Sequence, residues 1–407
     1  VSAPDAGTGA GEPLVVTVVE FLPSGGMFQF SFQFAEALAR AGHRVTLLTG
    51  PDPELRSDQP GLTVRELLPT WHPNAVVPGP RWRSRLRRVW RAVLLLESWR
   101  RVLVHLRRER PDVVQFGELR YALDTAALLV VARLGRARAV VDVAHNPLPY
   151  DVTSADQAVE KRGRLTGALL GRAYRACDLV LVLGEGPRST LLEHFPGVRR
   201  TAVCGHGDYS SVMTGTDDVP APSTAGPRAL FFGAWTRYKD LPLLLEAFGL
   251  VRRELPAARL TLAGPVMPDV DLEAVRSQAE RIGHVDLRPG YVPVADVPGL
   301  FAEHRVVLFT YATVNISGSI HMAYTFGRPV VATAVGSMAD AVEDGVTGLL
   351  AAPDAPSVAR AVAAVLGDDE LADRLGAAAA RRGATGASWD AVVERAEAGY
   401  RAALAAP

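Results

Sequence analysis

Residues 14–50 read LVVTVVEFLPSGGMFQFSFQFAEALARAGHRVTLLTG. LVVTVVEF (14–21) is a short, almost uninterrupted apolar run, which predicts a buried strand. PSGGM (23–27) supplies a turn, where Gly25 and Gly26 let another group approach the backbone closely. FQFSFQFAEALARAG (28–42) predicts a helix ended by Gly42. HRVTLLTG (43–50) predicts the next strand. Strand, helix and strand at these lengths make one parallel crossover unit.

The alternation continues outward from there. LTVREL (62–67), PDVVQF (111–116), ARAVVDVAH (137–145) and CDLVLVLG (177–184) predict further strands, and a long Arg-rich helix spans roughly 81–109. One Rossmann-like domain thus covers 14–211, behind a polar, Gly/Pro-rich leader (1–13) read as disordered. Segment 212–228 is rich in Asp, Pro, Thr and Gly and predicts a linker. The pattern then restarts with ALFFG (229–233), ARLTLAG (258–264), HVDLRPG (284–290), RVVLFTY (305–311) and PVVAT (329–333). A second Rossmann-like domain covers 229–385. SWDAVVERAEAGYRAAL (388–404) adds an amphipathic helix in a last segment, 386–407. The fold class is α/β, with two parallel-sheet domains facing each other across a cleft.

Composition narrows the function. A chain of 407 residues that is 48% hydrophobic supports two or three domains, and its formal net charge of zero draws it to no nucleic acid. Cys177 and Cys204 lie in apolar surroundings and read as reduced core residues, with no disulfide or metal framework. No apolar run reaches the ~18 residues of a membrane span, and the first residues carry no signal-peptide core; the reading is cytoplasmic. Residues 80–112 hold eleven arginines and three tryptophans, Trp82, Trp90 and Trp99. Two readings stay open for 81–110: peripheral contact at the inner membrane face, or an ordinary packing helix.

Ligands of open α/β sheets bind beyond the carboxyl ends of the strands, so the loops there carry the candidates. His145 opens HNPLPYD (145–151), where it can donate to a sugar oxygen or a phosphate. GHGDY (205–209) either lines the cleft or shapes the hinge, and shaping is the favoured role. In FFGAWTRYKD (231–240), Gly233 ends a strand, and Arg237 and Lys239 precede a helix. Cations at a helix amino end oppose its dipole unless an anion binds there. Lys239 is also one of only two lysines, with Lys161, among 44 Lys and Arg. SGSIHMAYTFGRPVVAT (317–333) opens a helix with Ser317 as cap, and the free N–H groups around Gly318 and Ser319 make an anion site. The two loops together would clamp a diphosphate from two sides. No G-x-G-x-x-G follows either opening strand, which argues against a dinucleotide.

In this order the loops resemble the GT-B glycosyltransferases, specifically the retaining family 4 group. FAEALARAGHRVTLLTG, RRERPDVVQF and ACDLVLVLGEGPRSTLL carry the likeness in the first half; FFG…YKD and GRPVVATAVGSMADAVEDGVTGLL carry it in the second. The resemblance implies a nucleotide-diphosphate sugar (UDP, GDP or dTDP) as co-substrate, held mainly by the second domain. It implies an acceptor held by the first domain, retention of configuration, and no metal or cofactor. It places Gly25 and Gly26 near the donor phosphates, His145 near the donor sugar, and Lys239 on a phosphate. It also makes SWDAVVERAEAGY a closing helix that crosses back to the first domain.

The chain departs from the family pattern at three positions. Ala234 stands where the family has arginine, with Arg237 as the substitute. Two family glutamates, with seven residues between them, correspond to Val314 and Met322. An SG-type helix start replaces them, with Ser317 and Ser319 anchoring phosphate and His321 as a weaker contact. Loss of the ribose-binding acid predicts tolerance of a deoxyribose donor such as a dTDP-sugar. The acceptor is a glycan, a lipid-linked intermediate or a secondary metabolite. A non-catalytic GT-B partner protein and a sugar-nucleotide epimerase remain as rivals.

Overall fold

The computed structural model describes residues 12–71, 81–117, 119, 122–148, 164–213, 219–313, 318–336, 338–386 and 388–406. Ser317, Val314 and Lys161 lie outside these residues, as do 1–11 of the leader and 214–218 of the linker.

The first sheet contains β1 (Val15–Val19), β2 (Arg44–Leu48), β3 (Leu62–Arg65), β4 (Val113–Phe116), β5 (Ala139–Ala144), β6 (Leu179–Val182) and β7 (Thr201–Val203). Its order is β3-β2-β1-β4-β5-β6-β7, and its ladders are parallel. The connecting helices are α1 (Gly26–Arg40), α2 (Arg81–Glu109), α3 (Ala122–Leu134), α4 (Arg164–Ala176) and α5 (Glu185–His194). The second sheet contains β8 (Arg228–Phe232), β9 (Arg259–Gly264), β10 (Val285–Pro289), β11 (Val306–Phe309), β12 (Val330–Thr333) and β13 (Gly348–Ala351), in the order β10-β9-β8-β11-β12-β13. Its helices are α6 (Leu241–Glu254), α7 (Leu272–Ile282), α8 (Val297–Ala302), α9 (Gly318–Thr325), α10 (Met338–Ala341), α11 (Ala355–Gly367) and α12 (Asp369–Gly386); α13 (Trp389–Leu404) follows. The predicted α/β class with two parallel sheets is the observed one. Sequence reading passed over β7 and β13. They are three and four residues long and sit at sheet edges, too short to show a pattern.

Chain order reverses between β1 and β4, and again between β8 and β11. Such switch points leave a crevice at the carboxyl edge of a sheet. The Gly25–Gly26 turn follows β1 and Gly233 follows β8, so each glycine loop opens onto its own crevice.

Helix α1 has apolar residues on nearly all its faces, and a helix of that kind needs cover on both sides. Phe28 and Phe32 form one ring pair and Phe30 and Phe34 another. The second cover is α13, which inserts Trp389, Val392, Val393, Ala396 and Tyr400 into the same core. The Trp389 indole stands edge-on to Phe30 and Phe34, and its Nε1 donates to Gln33 Oε1 (3.1 Å) and to Asp208 O (2.7 Å). The end of the chain is thereby packed into the first domain. Gly207 marks the closest approach, since a Cβ there would fall 2.1 Å from the Trp389 ring.

Candidate active site

Between the two sheets lies a cleft of about 600 Å³. Of the residues singled out from sequence, Gly25, Gly26, His145, Gly233, Lys239, Gly318 and Ser319 line it together. Arg237 and His321 do not. Arg237 is exposed and borders a separate depression, where its backbone N–H donates to Asp269 Oδ2 (3.0 Å). His321 lies behind His206 rather than in the cleft. Ala234 and Met322, at two of the departures from the family pattern, line the cleft as well.

Lys239 is the electrostatic centre. It sits in a tight turn just ahead of α6, only 5% exposed. Its backbone carbonyl accepts from Thr310 Oγ1 (3.1 Å), which fixes the turn. Its ammonium lies 5.5 Å from the ring centroids of Phe231 and Tyr311. Burial pushes its pKa down to about 8, and among the described residues no charged neighbour contributes to that shift. A Cβ placed on Gly233 would lie 2.8 Å from Lys239 Nζ and 3.4 Å from Ser319 Oγ, so the three residues converge. Ser319 stands in the first turn of α9, at the positive end of the helix dipole. A buried ammonium beside a helix amino end is a site for a compact anion.

The opposing wall belongs to the first domain. Gly25 caps α1 at φ 89°, a conformation costly to any residue with a side chain. Its N–H donates to Glu54 Oε2 (3.0 Å), which also accepts from Gln29 Nε2 (3.3 Å). The other Glu54 oxygen accepts from the Tyr291 hydroxyl, which comes from the second domain. Burial, followed by the Glu54 carboxylate, holds the Tyr291 phenol far above its usual range.

His145 and His206 stand edge-on to Phe30, with ring centroids 4.5 and 5.1 Å away. His206 Nδ1 lies 2.6 Å from Gly207 O. A carbonyl can only accept, so Nδ1 carries the proton and Nε2 keeps its lone pair. Burial pushes the His206 pKa down to about 4, which keeps the ring neutral near pH 7. A Cβ on Gly318 would come 3.2 Å from His206 Nε2 and 3.3 Å from Tyr209 OH. The cleft therefore offers a neutral nitrogen acceptor and a phenol beside the α9 amino end. The GHGDY loop lines the cleft in addition to shaping the junction. Tyr291 escaped notice in the sequence, although it follows the predicted strand HVDLRPG, and the strand-end rule would have flagged it.

Among the described residues that line the cleft there is no Asp or Glu.

A family model described as Glycosyltransferase Family 4 matches residues 24–207, and one described as Glycosyl transferases group 1 matches residues 226–368. The chain belongs to the GT-B glycosyltransferases, in a family 4-like form. The two matched segments of this glycosyltransferase hold the first-domain wall and the Lys239 wall respectively. It is 35% identical over 273 residues to a D-inositol 3-phosphate glycosyltransferase of Geodermatophilus obscurus, covering 62% of this chain and 55% of that one. The match therefore spans about half the length of that relative. Among solved structures, sucrose-phosphate synthase from Thermosynechococcus elongatus superposes with a TM-score of 0.73 at 20% identity, over 96% of this chain and 99% of that one. Anabaena HepE in complex with UDP and glucose gives 0.69 at 15% identity, over 95% and 98%. These two likenesses establish the GT-B fold.

Proposed function

We propose that the protein transfers a sugar from a nucleotide-diphosphate donor to an acceptor hydroxyl, with retention of configuration and without a metal. The observation that carries this reading is the buried Lys239 ammonium, converging with Gly233 and Ser319 at the amino end of α9. That arrangement fits a diphosphate. The UDP held by the structurally similar HepE supports the same donor class.

In this mechanism the bond between the anomeric carbon and the diphosphate oxygen breaks, and its electron pair leaves with the phosphate. Lys239 and the α9 amino end stabilise that growing charge. The acceptor hydroxyl attacks from the same face and passes its proton to the departing phosphate oxygen. No carboxylate pair is then required, unlike glycoside hydrolysis. His145 and the bare Nε2 of His206 position donor hydroxyls. Met322 cannot accept a hydrogen bond from a ribose hydroxyl, which favours a deoxyribose donor over its ribose counterparts. An epimerase needs acid and base carboxylates, and the described lining offers none.

The test is thermal stabilisation by UDP, GDP, dTDP and ADP, with Lys239→Ala alongside. A shift with one nucleotide, lost in the variant, supports the diphosphate site and names the donor class. Donor consumption only when acceptor is present separates transfer from epimerisation. Binding without turnover would favour a non-catalytic role.

A further inference from the structure

The loop between β1 and α1 is fixed at almost every residue. The Phe21 carbonyl accepts from Thr70 Oγ1, and the Leu22 carbonyl from Thr49 Oγ1 (3.3 Å). The Leu22 N–H donates to Glu20 Oε1 (3.1 Å), and the Pro23 carbonyl accepts from the Glu54 N–H (2.9 Å). The Gly25 N–H is held by the side chain of that same Glu54. A segment pinned in this way presents its side chains to the cleft in one arrangement.

One polar group of that loop is left over. Ser24 lines the cleft and is 3% exposed, yet its Oγ has no hydrogen-bond partner among the described residues. Buried hydroxyls are normally paired, because an unpaired one has given up its water without replacement. The fold therefore does not use this hydroxyl, and a ligand in the cleft can supply the missing bond.

The same wall carries carbon surface. Leu22 and Met27 flank Ser24 in the chain and are half-buried, and Leu183 follows β6; all three line the cleft. A ligand part lying against them loses its water, which favours an apolar body and disfavours a phosphate or a carboxylate. The anion site lies on the second domain, where Lys239, Gly233 and Ser319 converge.

We propose, on the transferase reading above, that this first-domain wall receives the acceptor. The acceptor is an uncharged alcohol with an apolar body, and Ser24 Oγ holds its attacking hydroxyl. The attacking oxygen uses one lone pair to bond the anomeric carbon and passes its proton to the departing phosphate oxygen. Its second lone pair accepts from the Ser24 O–H, which keeps its own proton throughout. The apolar body beds against Leu22 and Met27.

The test is calorimetric binding of methyl, phenyl and hexyl β-D-glucoside, and of D-inositol 3-phosphate, to the full chain with and without UDP, GDP, dTDP or ADP. The inositol phosphate carries the chemistry named for the Geodermatophilus relative. Phenyl or hexyl glucoside should bind about tenfold or more tighter than methyl glucoside and the inositol phosphate. Phenyl the tighter assigns a compact body, and hexyl a linear one. Ser24→Ala should bind the favoured glucoside about three- to tenfold more weakly. Met27→Ser should narrow the gap between that glucoside and the methyl one. Unliganded Ser24→Ala should melt no lower than the parent, because the hydroxyl it removes has no partner. Equal binding of the three glucosides, or none, overturns the proposal. So does tightest binding of the inositol phosphate, or unchanged glucoside binding by Ser24→Ala. Failure of the donor reading shows separately, as no binding of any of the four nucleotides.

Discussion

The imidazole of His321 lies flat behind that of His206, with ring centroids 4.8 Å apart and planes 3° from parallel. Burial pushes His206 down to about 4. Burial, reinforced by His206 itself, pushes His321 down to about 3. The unfolded chain protonates both near 6.5, so it takes up protons first as the solution is acidified. The stability tied to this pair is full above about pH 6.5 and is lost as pH falls toward the folded values. At pH 4.5 the loss is roughly 2.5 kcal/mol per histidine. Urea midpoints at pH 7 and 4.5 should show a smaller acid loss in His321→Phe than in the parent. Equal losses would sink the argument.

Lys239 gives a prediction of two signs. The charged ammonium is held in a desolvated site, so Lys239→Met should leave the unliganded protein as stable as the parent, or more so. The same change should weaken binding of the recognised nucleoside diphosphate by roughly 30- to 100-fold. Melting curves with and without nucleotide read both effects at once.

The pH dependence of that binding follows from the depressed pKa. In the free protein the ammonium deprotonates at about 8, while a bound diphosphate raises that value. Affinity should therefore be constant below about pH 8 and fall up to about tenfold per pH unit above it, with proton uptake on binding. Calorimetry in two buffers of different ionisation enthalpy, at pH 7 and 9, checks it. Binding with no proton uptake at pH 9 would remove Lys239 from the anion site.

Glu54 connects the walls of the cleft, holding the Gly25 N–H with one oxygen and the Tyr291 hydroxyl with the other. Replacing Tyr291 by Phe leaves the glycine turn intact but removes a link between the domains. The expected result is a donor KM raised about three- to tenfold with little change in kcat, whereas Glu54→Ala, which also frees the turn, should raise KM and lower kcat as well. Steady-state kinetics on the two variants distinguishes these outcomes.

Gly207→Ala should be among the most destabilising small changes in the chain. The added methyl meets the Trp389 indole at 2.1 Å, and that indole is held on both sides by hydrogen bonds. A cost of about 3 kcal/mol or more is expected from the overlap, visible as a lowered unfolding midpoint.

The fold was legible because each buried strand is an apolar run and each run is bounded by a turn. The cleft was legible in part, through the rule that strand ends carry ligands. That rule led to Gly25, Gly26, His145, Gly233 and Lys239, which the structure brings into one cleft. It failed inside short turns and helices, where neighbours in sequence point apart. Ser319 and His321 are two residues apart on α9, a rotation of about 200°, so Ser319 faces the cleft and His321 faces away. Arg237 and Lys239 diverge in the same way around their turn. The Glu54–Tyr291 pairing has no local signature, because it exists only when the two domains meet.

Helix α13 closes over a face of the first domain that, among the described residues, nothing earlier in the chain covers in the same way. Trp389 and Tyr400 are core residues of that domain, yet they follow the whole of the second sheet. A nascent chain that has emerged as far as Ala380 still exposes the Phe-rich side of α1 that α13 will cover. The lobe synthesised first is thus the lobe completed last, and its maturation waits on the ribosome finishing the other.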